Sequence, residues 1–132
     1  MTNTIVLENV EFSCPLLCDD IRREQSGKLI LIGVYSSQIL LTQFPGNMSL
    51  SIFGEISPKR LGEINIEFQF CLDDEPTSGI EMNLTIGALD TDLFATPPIP
   101  LTLNAPGVLS LRCREERGEW VETIRKTIAK YE

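Results

Sequence analysis

The sequence predicts a mainly β domain, an antiparallel β-sandwich of Ig-like or C2-like type with about eight strands. Three observations carry this expectation. Apolar and polar residues alternate with a period of two in several segments; turn-forming residues recur at intervals of roughly ten residues; and no long helical pattern separates the strands. The 132 residues suit a single domain, 1–132. A hydrophobic fraction of 42% and a charged fraction of 23% are those of an ordinary globular chain.

The first strand pattern is Val10, Phe12 and Cys14 alternating with Glu11 and Ser13, and Leu16-Leu17-Cys18 continues it beyond Pro15. Glu24-Gln25-Ser26-Gly27 reads as a turn in which Gly27 is free to take a positive φ. Lys28 to Ser36 is apolar on both faces, so a central strand is expected there rather than an edge. Ile39 and Leu41 begin a short strand that closes at Phe44-Pro45-Gly46, and Met48, Leu50, Ile52 and Ile56 keep one phase of the next.

The clearest pattern follows. Ile64, Ile66, Phe68, Phe70 and Leu72 alternate with polar residues, and Ile80, Met82, Leu84 and Ile86 do the same after the turn Asp73–Gly79. This predicts a hairpin with one core face and one wet face, Glu63, Glu67, Gln69, Glu81, Asn83 and Thr85 lying on the latter. Cys71 falls in the polar phase and is expected outside the main core, exposed in part or covered by a neighbouring segment.

Gly87 to Pro100 reads as irregular because of its three prolines, and Leu101 and Leu103 then give a short strand. Leu109, Leu111 and Cys113 alternate again. Residues 119–130 fit both a returning strand and a short C-terminal helix. Trp120, the single tryptophan, is expected in the core.

Several chemistries are disfavoured by composition. There is no histidine, which removes His-dependent nucleophile triads and His-ligated metal sites. Gly27-Lys28 lacks the upstream glycine of a phosphate-binding loop. The four cysteines form neither a redox pair nor a zinc set, and reduced thiols are expected. No enzyme activity, cofactor or metal is therefore expected.

The longest apolar run, Leu29 to Tyr35, is far too short to span a bilayer, and Met-Thr-Asn-Thr lacks the features of a secretory leader. A cytoplasmic location and no membrane association are expected; the alternative is a mature secreted chain without its leader.

The net charge is −8, and eight acidic residues with no Lys or Arg lie between Leu61 and Leu111. Direct nucleic-acid binding is disfavoured, because neutralising phosphates needs a basic face. Asp19, Asp20 and Arg22 belong to a dense charged cluster, in which Cys18, Asp20 and Arg22 share one face of an extended strand. The pairs Asp73/Asp74 and Asp90/Asp92 sit at turns, and Asp90-Thr91-Asp92 has the local spacing of an oxygen-donor loop for calcium.

From residue 17 to 45 the chain carries Leu-Cys-Asp-Asp-Ile-Arg-Arg-Glu-Gln-Ser-Gly-Lys, then Leu-Ile-Gly-Val-Tyr, then Gln-Phe-Pro. These elements resemble a family of small bacterial proteins of unknown function that share Cys-Asp-Asp, Gly-Lys, Ile-Gly-Val-Tyr and Phe-Pro. The resemblance implies a small β-rich bacterial protein and carries over no catalytic residue.

The functional expectation is a protein–protein interaction module. Its candidate binding residues are Asp19, Asp20, Arg22, Asp73, Asp74, Asp90 and Asp92. Two alternatives stand beside it: an acidic inhibitor that mimics nucleic acid, which requires its carboxylates to line one face, and a calcium-binding sandwich.

Overall fold

The computed structural model describes residues 4–131. Eleven strands form two sheets: β1 (Thr4–Val6), β2 (Val10–Arg23), β3 (Leu29–Val34), β4 (Gln38–Leu41), β5 (Gly46–Pro58), β6 (Gly62–Leu72), β7 (Glu75–Ile86), β8 (Asp92–Ala95), β9 (Ile99–Leu103), β10 (Gly107–Glu115) and β11 (Val121–Lys130). In the first sheet β1, β2, β5 and β8 lie side by side, with β3 added to β2 and β9 to β5; the second runs β4-β11-β10-β6-β7. The antiparallel β architecture agrees with the sequence pattern. One pairing departs from it, since β4 runs parallel to β11.

The strand count exceeds the expected eight because short segments act as partial partners of longer strands. β5 pairs with β9 over its first half and with β8 over its second, so one long strand meets two short ones. β8 falls within the stretch expected to be irregular; it pairs with β5 from Phe53 to Ile56, and the prolines, which lack an amide donor, begin only at Pro97.

The ambiguous C-terminus is a strand. A register shift between Leu111 and Arg112 lets β11 stay paired with β10 although its apolar positions do not keep a strict period of two. That shift also accounts for the odd, helix-like spacing of Val121 and Ile124, which face Cys113 and Leu111 across the ladder.

The hairpin β6–β7 has the predicted phase. Ile64, Ile66, Phe68 and Phe70 are buried, while Ile80, Met82, Leu84 and Ile86 are half-buried and pack on the same core. Leu84 faces Ile64 and Met82 faces Ile66 across the ladder. Cys71 is buried yet stands outside the core cluster; it shares the polar phase of β6 with Gln69, its thiol 3.9 Å from the amide oxygen.

The two sheets meet through aromatic side chains. Phe12 on β2 packs edge-on against Phe68 on β6 and Phe94 on β8, with centroids 5.7 and 5.6 Å apart, and Phe68 lies 5.4 Å from Phe94. Gly54 leaves the space that the Phe12 ring fills, so a side chain at that position would strike the ring. A polar tie closes one end: the Asn9 backbone and side-chain amides donate to the two oxygens of Glu115, at 2.7 and 3.0 Å.

Phe68→Ala should lower unfolding stability by about 3–5 kcal/mol, because it empties the contact between the sheets. Glu67→Ala should cost no more than about 1 kcal/mol, the worth of its half-exposed pair with Arg114. Urea unfolding of both variants measures this, and equal losses would contradict the half-buried assignment of β6.

Candidate functional site

β2 is fourteen residues long and changes partners along its length. From Val10 to Cys18 it pairs with β5. Beyond Cys18 its ladder continues with β3 alone, so Asp19 to Val34 form a two-stranded arm. The arm tip is a tight turn in which the Gly27 amide donates to the Glu24 carbonyl and the Glu24 amide donates to the Lys28 carbonyl, each at 2.9 Å. Gly27 has φ +91°, the conformation anticipated from the sequence.

Here the structure corrects the expectation of a central strand at Lys28–Ser36. β3 lies at an edge and pairs with β2 only. None of the residues from Asp19 to Val34 is buried. Ile30, Ile32 and Val34 are 43%, 39% and 50% exposed, and the register places them on one face with Cys18, Asp20 and Arg22. Ile21, Leu29 and Leu31, on the other face, are only half-buried. The apolar pattern is that of a strand covered on both faces, but among the described residues this chain leaves the face of Ile30, Ile32 and Val34 open.

The base of the arm is held by the motif residues. The Tyr35 hydroxyl donates to the Asp19 carboxylate, and the Tyr35 amide donates to the Leu17 carbonyl at 2.9 Å. Gly33, opposite Asp19, has φ +68°, and a β-carbon there would run into the Asp19 carboxylate. Burial pushes the Tyr35 phenol up to about 12, helped by its bond to Asp19 and by the Asp19 charge. Burial also raises the Cys18 thiol, with Asp19 adding to the effect; this thiol donates to the Ser51 carbonyl at 3.7 Å. Cys-Asp-Asp, Gly-Lys and Ile-Gly-Val-Tyr, separate in sequence, thus belong to one hydrogen-bonded ribbon.

The candidate residues do not assemble into one site. Asp19 and Asp20 are on the arm, where Asp20 pairs with the exposed Arg22 at 3.4 Å. Asp73 turns its carboxylate to the Val108 amide at 2.9 Å, serving the β6–β7 turn. Asp90 and Asp92 lie past the other end of β7, and Asp92 caps its own neighbour Leu93. Among the described residues no group of three acidic or thiol side chains converges as a metal site.

Glu63, Glu67 and Glu81 occupy a third place, the polar face of β6–β7. There Arg114 of β10 pairs with Glu67 at 3.2 Å, and Asn65 donates to Glu81 and Asn83. The eight acidic residues therefore do not line one face, which is the geometry a nucleic-acid mimic requires. Trp120 also departs from expectation: it stays half-exposed on this polar side, beneath the guanidinium groups of Arg112 and Arg114, at 4.7 and 4.2 Å from the ring centre.

A concavity of about 550 Å³ opens at the seam between β7 and β8. It is lined by Met82, Leu84, Ile86, Leu93 and Phe94 among others, and its charged groups are Asp90, Asp92 and Arg23. The exposed β3 edge and this seam were the parts of the surface that sequence reasoning missed. The unusual signal was present: Leu29–Val34 is apolar at every position but Gly33, without the alternation of a strand wetted on one face.

No known family model and no curated protein matches the chain. Among solved structures it is similar to ycdA of Bacillus subtilis subsp. subtilis str. 168, titled a "putative lipoprotein", with 8% identity and a TM-score of 0.50. The match covers 97% of this chain and 38% of that one, so the chain spans well under half the length of its structural relative. At such identity the likeness concerns the fold alone.

Tyr35→Phe removes the bond to Asp19 and should cost about 1 kcal/mol at neutral pH. Because the folded phenol titrates near 12, above its unfolded value, its contribution is complete below about pH 10 and declines as the pH rises toward 12. Wild-type stability should fall more steeply over that window than the variant's, as read by urea midpoints at successive pH values. Parallel curves would show that Tyr35 does not titrate as the contact requires.

Proposed function

We propose that the protein is a non-enzymatic protein-binding module whose docking element is the β2–β3 arm. The observation that carries this reading is a fully apolar edge strand with three aliphatic side chains exposed on one face. Natural edge strands are usually blunted with charge, proline or cover. Leu29–Val34 has none of these. An isolated hairpin is at best marginally stable in water, so such a ribbon gains order from whatever pairs with it. A partner that adds an extended segment to β3 would satisfy the outward backbone groups and cover Ile30, Ile32 and Val34 together.

The polar residues nearby fit a positioning role. Asp19, Tyr35 and Gly33 set the arm on the sandwich, and Asp20 and Arg22 supply a polar margin to its apolar face. The absence of histidine and the raised, buried thiols of Cys18, Cys71 and Cys113 favour binding over catalysis. The same free cysteines are compatible with the reducing cytoplasm that we propose as its setting.

Cross-linking and capture from the source cells with wild-type bait tests the reading. Ile32→Lys on the arm should lose the captured proteins, whereas Asn83→Lys, on the polar face of β7, should retain them. An identical captured set for wild type and Ile32→Lys would overturn the arm as the docking element.

A further inference from the structure

Resting on that reading, we propose that the segment paired with β3 is β3 of a second copy of this chain, related by a two-fold axis near the middle of the strand.

Backbone geometry allows it. The Glu24–Lys28 hydrogen bond sets the alternation of the arm's ladder, so Lys28, Ile30 and Ile32 turn their peptide groups toward β2. Leu29 and Leu31 turn theirs outward, where an antiparallel strand can exchange hydrogen bonds with them. A two-fold axis at Leu31 brings Leu31 opposite its own copy and Ile30 opposite Ile32. Isologous contacts require such a self-complementary patch. The aliphatic run of β3 provides one, because its face remains apolar when read in either direction.

Charge selects the arm as the place for self-contact. The chain carries −8, so two copies repel over most of their surfaces. Between Asp19 and Val34 the acids are Asp19, Asp20 and Glu24 and the bases are Arg22, Arg23 and Lys28, which sum to zero. On the face of Ile30, Ile32 and Val34 the charged side chains are Asp20 and Arg22, of opposite sign and already joined, and at the tip Lys28. Lys28 has Glu24 as its ladder partner, and a two-fold axis at Leu31 sets it opposite Val34 of the copy. A second copy therefore meets an edge that carries no net charge. A strongly basic or acidic partner would find nothing there to answer it.

Sedimentation velocity of the purified full chain, from low micromolar to hundreds of micromolar, reads the outcome. Wild type should shift with concentration from a 14.8 kDa species to one of twice that mass. Ile32→Lys and, separately, Val34→Lys should weaken the dimer roughly a hundredfold, since each would bury an unpaired charge. Circular dichroism identifies a variant that has merely failed to fold, in which case the other variant decides. In hydrogen exchange, the Leu29 and Leu31 amides should gain protection as wild type is concentrated.

A wild type that stays monomeric overturns self-pairing, while arm-dependent capture of other proteins would leave the docking reading standing. A dimer that survives both substitutions in folded protein overturns it as well, by placing the interface elsewhere. Asn83→Lys should dimerise like wild type.

Discussion

Phe12 holds the molecule's two sheets at one distance. Its ring touches Phe68 from the opposite sheet and Phe94 from its own, and Gly54 on the adjacent strand makes the room it needs. Tight packing of this kind has few alternative arrangements, because shifting one ring would open a void that apolar neighbours cannot fill. With Phe12 pinned, the register of β2 against β5 follows. A slip of one residue would turn Phe12 and Val10 outward together.

The arm inherits its position from that register. The pairing of β2 with β5 stops at Cys18, and everything beyond is supported by β3 and by contacts at the base. Asp19 has two roles there: it accepts the Tyr35 hydroxyl, and it occupies the space opposite Gly33 that a side chain would need. The sandwich is thus the mount, and beyond Cys18 the ribbon's two strands pair only with each other. Low local support and exposed apolar surface commonly mark elements that meet a partner.

The acidic character of the chain is distributed in the opposite sense. Carboxylates on the β6–β7 face are interleaved with amides: Arg114 of β10 answers Glu67, Arg112 donates to the Gln69 amide oxygen, and both guanidinium groups lie over Trp120, the residue before β11. Those at turns hold backbone amides in place, as Asp73 does for Val108. Segregation of basic and acidic residues along the sequence therefore disappears in space: the arginines of 112–114 lie beside the acidic strand β6 because β10 is its neighbour. Charge runs read along a chain give a poor map of a sheet surface, where neighbours come from distant segments.

Local alternation by itself determined the β character of the chain, the β6–β7 hairpin and its buried face, and the turn at Gly27. These depend on interactions between residues close in sequence, so the period of two is a direct record of them. Which strands stand beside which was decided only by tertiary structure. Leu29–Val34 reads as a central strand because its sequence reports that both faces favour an apolar environment, and nothing local says whether its own chain supplies the cover. Trp120 likewise reads as core until Arg112 and Arg114 are seen to lie across it. The physical reason is common to both cases. Hydrophobicity states what a side chain prefers, whereas its actual surroundings depend on long-range pairing, and for β3 that pairing ends at a free edge.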